Sequence, residues 1–402
     1  MADWSSLPEG VVSLVAECQL ADNDIDCYMN LRGVCKHWRD STDDPTVDGA
    51  DPRFQPKSWA VLNNYGFLSG SCVVSMVNLC TSRVIQKKIP KFRDYYYFFS
   101  ATDGGFLVLG EASFPDYRAW VFNPFTGFKV CFTVPMFSVA TDIKAVAVTN
   151  TFPVMRLFVS DLWTYLGWAY PNAGDFHREY RAPYHSYHAS MKQVGDNVYV
   201  ANRHGSIAFI NADNDEGNQQ MTPIIEADEE AFWEWEGDAP SYYLVESAGE
   251  LLLVTSRPIG EEGRLSVQVH KVDTERRVLE PVMDIGRRAI FISQVRSFVV
   301  DALPTIEVGC IYFVDATMES LFNDGIVATS FRLADQTQED IMDWGNLRIW
   351  CGPSGPPTLV EVLSDYCRFV PLSQYKFVNS EEADELEGFE WDDDAGSKES
   401  DT

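Results

Sequence analysis

Residues 120–132 read Trp-Val-Phe-Asn-Pro-Phe-Thr-Gly-Phe-Lys-Val-Cys-Phe, and this stretch decides the class of fold. The runs 120–122 and 128–132 are rich in aromatic and β-branched residues, which pack well on a pleated surface. Between them, residues 123–127 combine the amino acids that favour a tight turn. The stretch therefore predicts a β-hairpin.

The same plan, a short β-branched or aromatic run followed by a turn, recurs through the middle of the chain. Further runs cover residues 105–109, 198–200, 207–210, 242–245, 251–254, 266–272, 310–313 and 326–332. So many short strands exceed a simple sandwich, whereas radial repetition of four-stranded sheets leaves few exposed edges. At about 40–50 residues a blade, residues 57–378 predict a large all-β domain, a β-propeller of six or seven blades.

Residues 1–42 show instead the pattern of a small all-α module. Ser6 and Glu9 have the spacing of a capping box, with Pro8 in the first turn of the helix that follows. The polar break at residues 21–24 offers a second N-cap. A stripe at i, i+3, i+4 and i+7 predicts a further helix; its members are Leu31, Val34, Cys35 and Trp38. Prolines and acidic residues then predict a linker over residues 43–56.

Residues 4–8 (Trp-Ser-Ser-Leu-Pro), the apolar helix through Leu20, and residues 34–39 (Val-Cys-Lys-His-Trp-Arg) together resemble an F-box. The resemblance covers residues 4–42. It implies that the module docks on a Skp-type adaptor and, through it, on a cullin. The candidate adaptor-binding residues are Leu7, Pro8, Val11, Val12, Val15, Leu20, Leu31, Val34, Cys35 and Trp38. Such a module works through an apolar patch with aromatic anchors, and no catalytic residue is needed.

These helices are too short to bury their own apolar faces well, so they need a partner surface in this chain or in another protein. We expect about half of the ten candidates to face the adaptor and the others to form the core of the module. The alternative is that the whole stripe packs on the β-domain.

Residues 121–127, 243–254, 284–291 and 309–313 resemble, in this order, segments of the KIB-type β-propeller of plant F-box proteins. The resemblance is distributed over most of residues 55–378. It implies a substrate receptor of a ubiquitin ligase, in which the propeller binds an unknown target protein. Loops on a rigid scaffold usually carry such specificity, and residues 165–187 and 211–223 are candidate loops.

The chain is strongly acidic, with a formal net charge of −29 at pH 7. Such a surface repels phosphates and anionic lipids, so we expect neither nucleic acid nor membrane as a partner. No run is long and apolar enough to span a bilayer, and no secretory leader is evident. The nine scattered cysteines form no C-x-x-C pair, which indicates reduced thiols in the cytoplasm or nucleus.

The last residues, 379–402, are dominated by Asp and Glu and predict a disordered acidic tail. One interpretation is a tail that only increases solubility. The other is an interaction segment anchored by Phe389 and Trp391.

Signals for catalysis are weak. His185 and His188 have H-x-x-H spacing, but no Cys or carboxylate cluster lies beside them in the sequence to complete a metal site. Neither a G-x-S-x-G elbow nor a phosphate-binding G-x-x-x-x-G-K-[ST] loop occurs. We expect no catalytic residue, cofactor or metal. Two alternatives stay open: a propeller enzyme with converging acid–base groups of perturbed pKa, and an F-box protein that acts outside a ligase.

Overall fold

The structure is a computed structural model. It describes residues 4–47, 51–62, 73–81, 83–88, 96–102, 104–111, 118–133, 143–149, 156–161, 165–171, 176–180, 188–195, 197–202, 204–211, 221–226, 240–259, 264–293, 297–301, 303, 306–315 and 327–343. The predicted acidic tail, residues 379–402, lies outside this set. The six cysteines within it form no disulfide with one another.

Three short α-helices form the N-terminal module: α1 (Glu9–Ala21), α2 (Ile25–Gly33) and α3 (Lys36–Asp40). The predicted N-cap in the polar break is confirmed, because the Asp24 carboxylate accepts a hydrogen bond from the backbone N–H of Cys27 at 3.1 Å. The predicted capping box is wrong. Ser6 belongs to a separate 3-10 turn, and α1 begins directly after Pro8 without a side-chain cap.

The stripe from Leu31 to Trp38 does not lie on one helix, as its spacing predicted. Helix α2 ends at Gly33, and Cys35 has an extended backbone with φ −159° and ψ 171°. Its sulfur accepts the backbone N–H of Trp38 at 3.5 Å and so caps α3. Because glycine is a poor helix former, the chain breaks here into two helices.

All other regular elements except a 3-10 turn at Pro52–Phe54 are strands, as the hairpin pattern predicts. Their bounds are β1 Trp59–Leu62, β2 Val73–Asn78, β3 Val84–Lys88, β4 Tyr96–Ala101, β5 Leu107–Glu111, β6 Arg118–Phe122, β7 Lys129–Thr133, β8 Ile143–Thr149, β9 Arg156–Asp161, β10 Tyr165–Ala169, β11 Phe176–Tyr180, β12 His188–Val194, β13 Asn197–Asn202, β14 Ile207–Asn211, β15 Thr222–Ile225, β16 Ser241–Ser247, β17 Glu250–Ile259, β18 Arg264–Asp273, β19 Val278–Pro281, β20 Arg288–Ile292, β21 Ser297–Asp301, β22 Cys310–Asp315, β23 Val327–Arg332 and β24 Thr337–Asp343.

The strands form a β-propeller of five blades. Blades 1 to 4 are the four-stranded sheets β4–β7, β8–β11, β12–β15 and β16–β19, and blade 5 is the five-stranded sheet β20–β24. Strands β1–β3 make a first sheet that has three strands among the described residues. The prediction of six or seven blades is therefore wrong. It divided residues 57–378 evenly, whereas the blades take roughly 50 residues each and begin only at Tyr96.

Side-chain packing closes the ring through the first sheet. One hydrophobic cluster joins Trp59 and Met76 of the first sheet to Leu107 of blade 1 and to Phe291 and Tyr312 of blade 5. Neighbouring blades touch through their first or innermost strands, which are β4, β8, β12, β16 and β21. The first sheet thus lies between the first and the last blade.

The hairpin at residues 118–133 has the predicted form. The Asn123 side-chain oxygen accepts the backbone N–H groups of Phe125 at 3.0 Å and Thr126 at 3.3 Å. Gly127 has φ 76°, a left-handed conformation that glycine adopts without steric cost. Local chemistry therefore favours this turn between β6 and β7.

Polar side chains join the inner strands of blades 3, 4 and 5. Ser190 Oγ accepts the backbone N–H of Leu244 at 3.0 Å, and Ser297 Oγ donates to the carbonyl of Leu244. The buried Lys192 reaches from blade 3 to the carbonyl of Ser297 in blade 5, with Nζ 2.6 Å from that oxygen. These bonds fix three blades around this part of the axis.

Candidate functional site

Helix α1 presents an apolar face to solvent. Val11, Leu14 and Val15 are 44%, 61% and 41% exposed. They follow one another at i, i+3 and i+4, so they lie side by side on one face of the helix. Cys18, at i+7, extends this face and is also exposed. We call Val11, Leu14, Val15 and Cys18 the α1 face.

A second side of α1, adjacent to this face, packs inside the module. Val12 and Ala16 are buried in a cluster with Tyr28, Leu31 and Phe54. Two adjacent stripes of one short helix therefore have different surroundings: the inner stripe packs in the core of the module, and the α1 face is exposed.

The ten candidates from the sequence divide between these two environments. Pro8, Val11, Val15 and Val34 are exposed, and Val12 and Leu31 are buried. The remaining four are partly buried, and Leu7, Leu20 and Trp38 among them pack against the module core. The structure thus brings Pro8, Val11 and Val15 together at one side of α1.

Two exposed residues were missing from the predicted set. Leu14 shares the face of Val11 and Val15, and its helical spacing was the signal that pointed to it. Trp4 is 66% exposed, and its carbonyl accepts the indole N–H of Trp38 at 3.1 Å. Large exposed apolar side chains in a cluster mark protein interaction sites.

The buried side chain of Arg32 makes several hydrogen bonds inside the module. Nη1 of Arg32 donates to the carbonyls of Thr42 at 2.7 Å, Asp43 at 2.6 Å and Arg39 at 3.2 Å. Nη2 lies 2.9 Å from the carboxylate of Asp44. Because no neutral side chain offers five donors in one plane, Arg32 organises the return of the chain after α3.

Further hydrogen bonds connect helix α3 and its C-cap, Ser41, to residues 7–13 of the module. A ring nitrogen of His37, Nε2, lies 2.8 Å from the carbonyl oxygen of Leu7. Ser13 Oγ in α1 donates to the carbonyl of Ser41 at 2.9 Å. These contacts give residues 4–44 a defined tertiary structure, so the α1 face is a preformed surface.

A cavity of about 360 Å³ lies between blades 4 and 5. Its lining carries both signs of charge, with Arg287 and Arg288 beside Glu250, Asp284 and Asp301. Several of these groups already have partners in the chain. Glu250 pairs with Lys271, Asp284 accepts the backbone N–H of Gly286, and Arg288 donates to Ser247 at 2.9 Å. This mixed lining selects no single class of ligand.

The H-x-x-H pair of the sequence lies only partly within the described residues. Of the H-x-x-H pair, His188 begins β12 and His185 lies outside the described residues. Among the residues that the structure describes, no group of three or more His, Cys, Asp or Glu side chains is placed to hold a metal ion. Likewise, none of the described helices combines the length and hydropathy needed to cross a bilayer.

The candidate target loops need correction. Residues 165–187 contain two strands of blade 2, β10 and β11, and residues 211–223 contain the start of β15. Trp168, which lies within the first of these ranges, is a core residue that packs in one cluster with Met191 of blade 3. Residues 181–187 and 212–220 lie outside the described residues.

Comparison with known proteins identifies the β-domain. The model of the KIB1-4 beta-propeller family matches residues 74–332, more than half of the chain. No curated protein matches the sequence. The family model does not extend to the helical module.

Comparison with solved structures gives matches of low identity. A putative 6-phosphogluconolactonase from Bacteroides uniformis shares 12% identity, with a TM-score of 0.37 over 72% of this chain and 82% of that chain. The β-propeller domain of Nup133 from Vanderwaltozyma polyspora shares 9% identity, with a TM-score of 0.35 over 71% and 83%. The S. cerevisiae core factor shares 9%, with a TM-score of 0.34 over 68% of this chain and 42% of that chain.

Proposed function

Because the chain belongs to the KIB1-4 β-propeller family, we propose that it is the substrate receptor of a Skp–cullin–F-box ubiquitin ligase. In this proposal residues 4–42 are an F-box that docks on a plant Skp-type adaptor, and the adaptor connects it to a cullin. The propeller binds a target protein for ubiquitination. The chain itself catalyses no reaction, and it acts in the cytoplasm or nucleus.

The α1 face is the observation that carries the proposal. Val11, Leu14 and Val15 are side by side and exposed on a protein whose net charge is −29. A helix that keeps one apolar stripe in its own core and turns a second one to solvent is suited to a protein partner. A β-propeller also fits a role in protein interaction, since its loops rest on a rigid scaffold.

The α1 face is expected to carry much of the adaptor affinity. The triple variant Val11→Ala/Leu14→Ala/Val15→Ala removes apolar area but keeps the helix, since alanine has the highest helix propensity. Losing a central apolar anchor costs about 2 kcal/mol or more. We therefore expect adaptor binding to weaken by at least about thirty-fold in isothermal titration, with unchanged thermal stability.

A matched control is available on the propeller. Val84, Val278 and Met283 are also exposed, at 60%, 39% and 73%, and their triple alanine variant should bind the adaptor as the natural sequence does. Equal affinities of the two triple variants would contradict the proposal. Trp38→Ala is a poorer test, because Trp38 also packs in the module core and bonds to Trp4.

An F-box protein that works outside a ligase remains the second proposal for the same surface. It predicts the same adaptor affinity, but no cullin in the complex and no turnover of a bound target. Reconstitution with adaptor and cullin separates the two.

A further inference from the structure

Residues 23–26, which are the end of the α1–α2 connection and the first two residues of α2, pack against the propeller. Ile25 is fully buried in the cluster that contains Trp59 of the first sheet and Phe125 of blade 1. Helix α2 therefore supplies a core residue to the propeller. A flexible tether between two separate domains would not require this burial.

Asn23 makes the polar part of the contact. Its side chain donates to the carbonyl of Gln55 and accepts the backbone N–H of Ser58, both at 2.8 Å. Its carbonyl accepts the indole N–H of Trp59 at 2.8 Å and the side-chain amide of Asn78 at 3.3 Å. Asn23 has φ 50°, which asparagine tolerates better than most residues. This backbone conformation turns both its side chain and its carbonyl toward the propeller.

Three ion pairs surround this contact. Arg83 of the β2–β3 hairpin donates to Asp24 at 2.6 and 2.9 Å and to Asp26 at 3.0 Å. Nζ of Lys87 in β3 lies 2.9 Å from the second oxygen of Asp26. Burial alone would raise the pKa of Asp26, but Lys87 and Arg83 outweigh burial and hold that pKa below its ordinary value. The ionised carboxylate is thus the form that the surroundings favour.

The segment after the module is held on the same side. Phe54, from the predicted linker, is buried and lies 5.4 Å from the Tyr28 ring, centroid to centroid. Its carbonyl accepts the side-chain amide of Asn123 in the β6–β7 turn at 2.9 Å. The chain is therefore fixed to the propeller on both sides of α2 and α3.

We infer that residues Asn23–Asp26, with Arg83 and Lys87, form an orienting joint that makes the helical module and the propeller one cooperative unit. None of its residues belongs to the α1 face. Its functional meaning rests on the proposed function: it holds the adaptor-binding face at a fixed position relative to a target on the propeller. Asp24 and Asp26 are positioning residues in this arrangement.

Amide hydrogen exchange on the full chain tests the joint directly. The N–H of Ser58 bonds to Asn23 and reports docking, whereas the N–H of Ala201 in blade 3 reports the rest of the propeller. If module and propeller open together, Ser58 exchanges only through global unfolding in the natural sequence. Asp26→Lys places a third positive charge beside Arg83 and Lys87, and we expect at least about ten-fold faster exchange at Ser58, with a smaller increase at Ala201.

The reciprocal variant Asp26→Lys/Lys87→Asp restores one pair of opposite charges and should recover much of the protection at Ser58. Glu280→Lys, which reverses a charge beside Arg276 in an exposed pair, should leave Ser58 unchanged. A zero-length carbodiimide crosslink between Asp26 and Lys87 is expected in the natural sequence. The inference of a joint is overturned if Ser58 exchanges equally fast in Asp26→Lys and in the natural sequence. It is also overturned if that crosslink does not form.

Failure of the joint and failure of the proposed function have different signatures. The exchange and crosslinking experiments use the chain alone, so an adaptor that does not bind the natural sequence would overturn the proposed function and leave the joint intact. Conversely, unchanged exchange at Ser58 in Asp26→Lys overturns the inference of a joint, whether or not the adaptor binds. Adaptor affinity of Asp26→Lys should stay within about two-fold of the natural value, since the α1 face lies elsewhere.

Discussion

Replacing Arg32 with alanine is expected to unfold the helical module. The variant leaves the carbonyls of Arg39, Thr42 and Asp43 without their common donor and Asp44 without its cation. Each buried polar group that loses its partner costs about 1–3 kcal/mol. We expect residues 25–44 to lose at least about 3 kcal/mol of protection in amide hydrogen exchange, and adaptor binding to be lost with the fold of the module.

Two variants sharpen this prediction. Arg32→Lys keeps the positive charge, but an ammonium group cannot present the planar set of donors, so an intermediate loss of protection is expected. Arg39→Ala removes an exposed arginine whose guanidinium makes one long hydrogen bond, of 3.3 Å, to the carbonyl of Arg32, and should cost less than about 1 kcal/mol. Equal protection in Arg32→Ala and Arg39→Ala would contradict the role given to Arg32.

Gly105→Ala is expected to be the most damaging glycine-to-alanine substitution among the described residues. A Cβ at this position would lie 1.9 Å from the carbonyl oxygen of Pro56, and Gly105 has φ 76°, which is strained for any residue with a side chain. Relief requires the segment after the module to move off the turn before β5. We expect a loss of more than about 4 kcal/mol in the free energy of unfolding, measured with urea.

Gly127→Ala is the matched control, because it has the same φ of 76° but nothing within 4 Å of the added Cβ. It should cost only the left-handed backbone strain, about 1–2 kcal/mol. The difference between the two variants therefore isolates the close approach of Pro56. If both variants lose the same stability, residues 54–56 do not pack as described.

The hairpins were predictable because their determinants are local. The side chain of Asn123 and the glycine at position 127 stabilise the turn between β6 and β7. The pairing of Val198 with Ile210 follows from the short turn between β13 and β14. Blade count was not predictable in the same way. It depends on where the ring closes, and closure comes from packing between Trp59 and Phe291, which are far apart in sequence.

The packing of the helical module was likewise not predictable from local sequence patterns. The i, i+4 spacing in α1 indicated an apolar face. Which of its residues are buried, as Val12 is, and which are exposed, as Leu14 is, depends on the elements that pack against the helix. Asp24 was predictable as a cap for α2, yet its ion pair with Arg83 joins residues 59 positions apart and leaves no local pattern in the sequence. The predicted linker gave no sign that Phe54 would be a core residue.

The central claim is that the helical module binds a Skp-type adaptor through the α1 face. The most direct measurement is a titration of the full chain with a plant Skp-type adaptor, combined with amide exchange of the complex. We predict a one-to-one complex in which residues 9–21 gain protection and blades 2 to 4 do not. No binding, or protection confined to the propeller while residues 9–21 stay unchanged, would contradict the account.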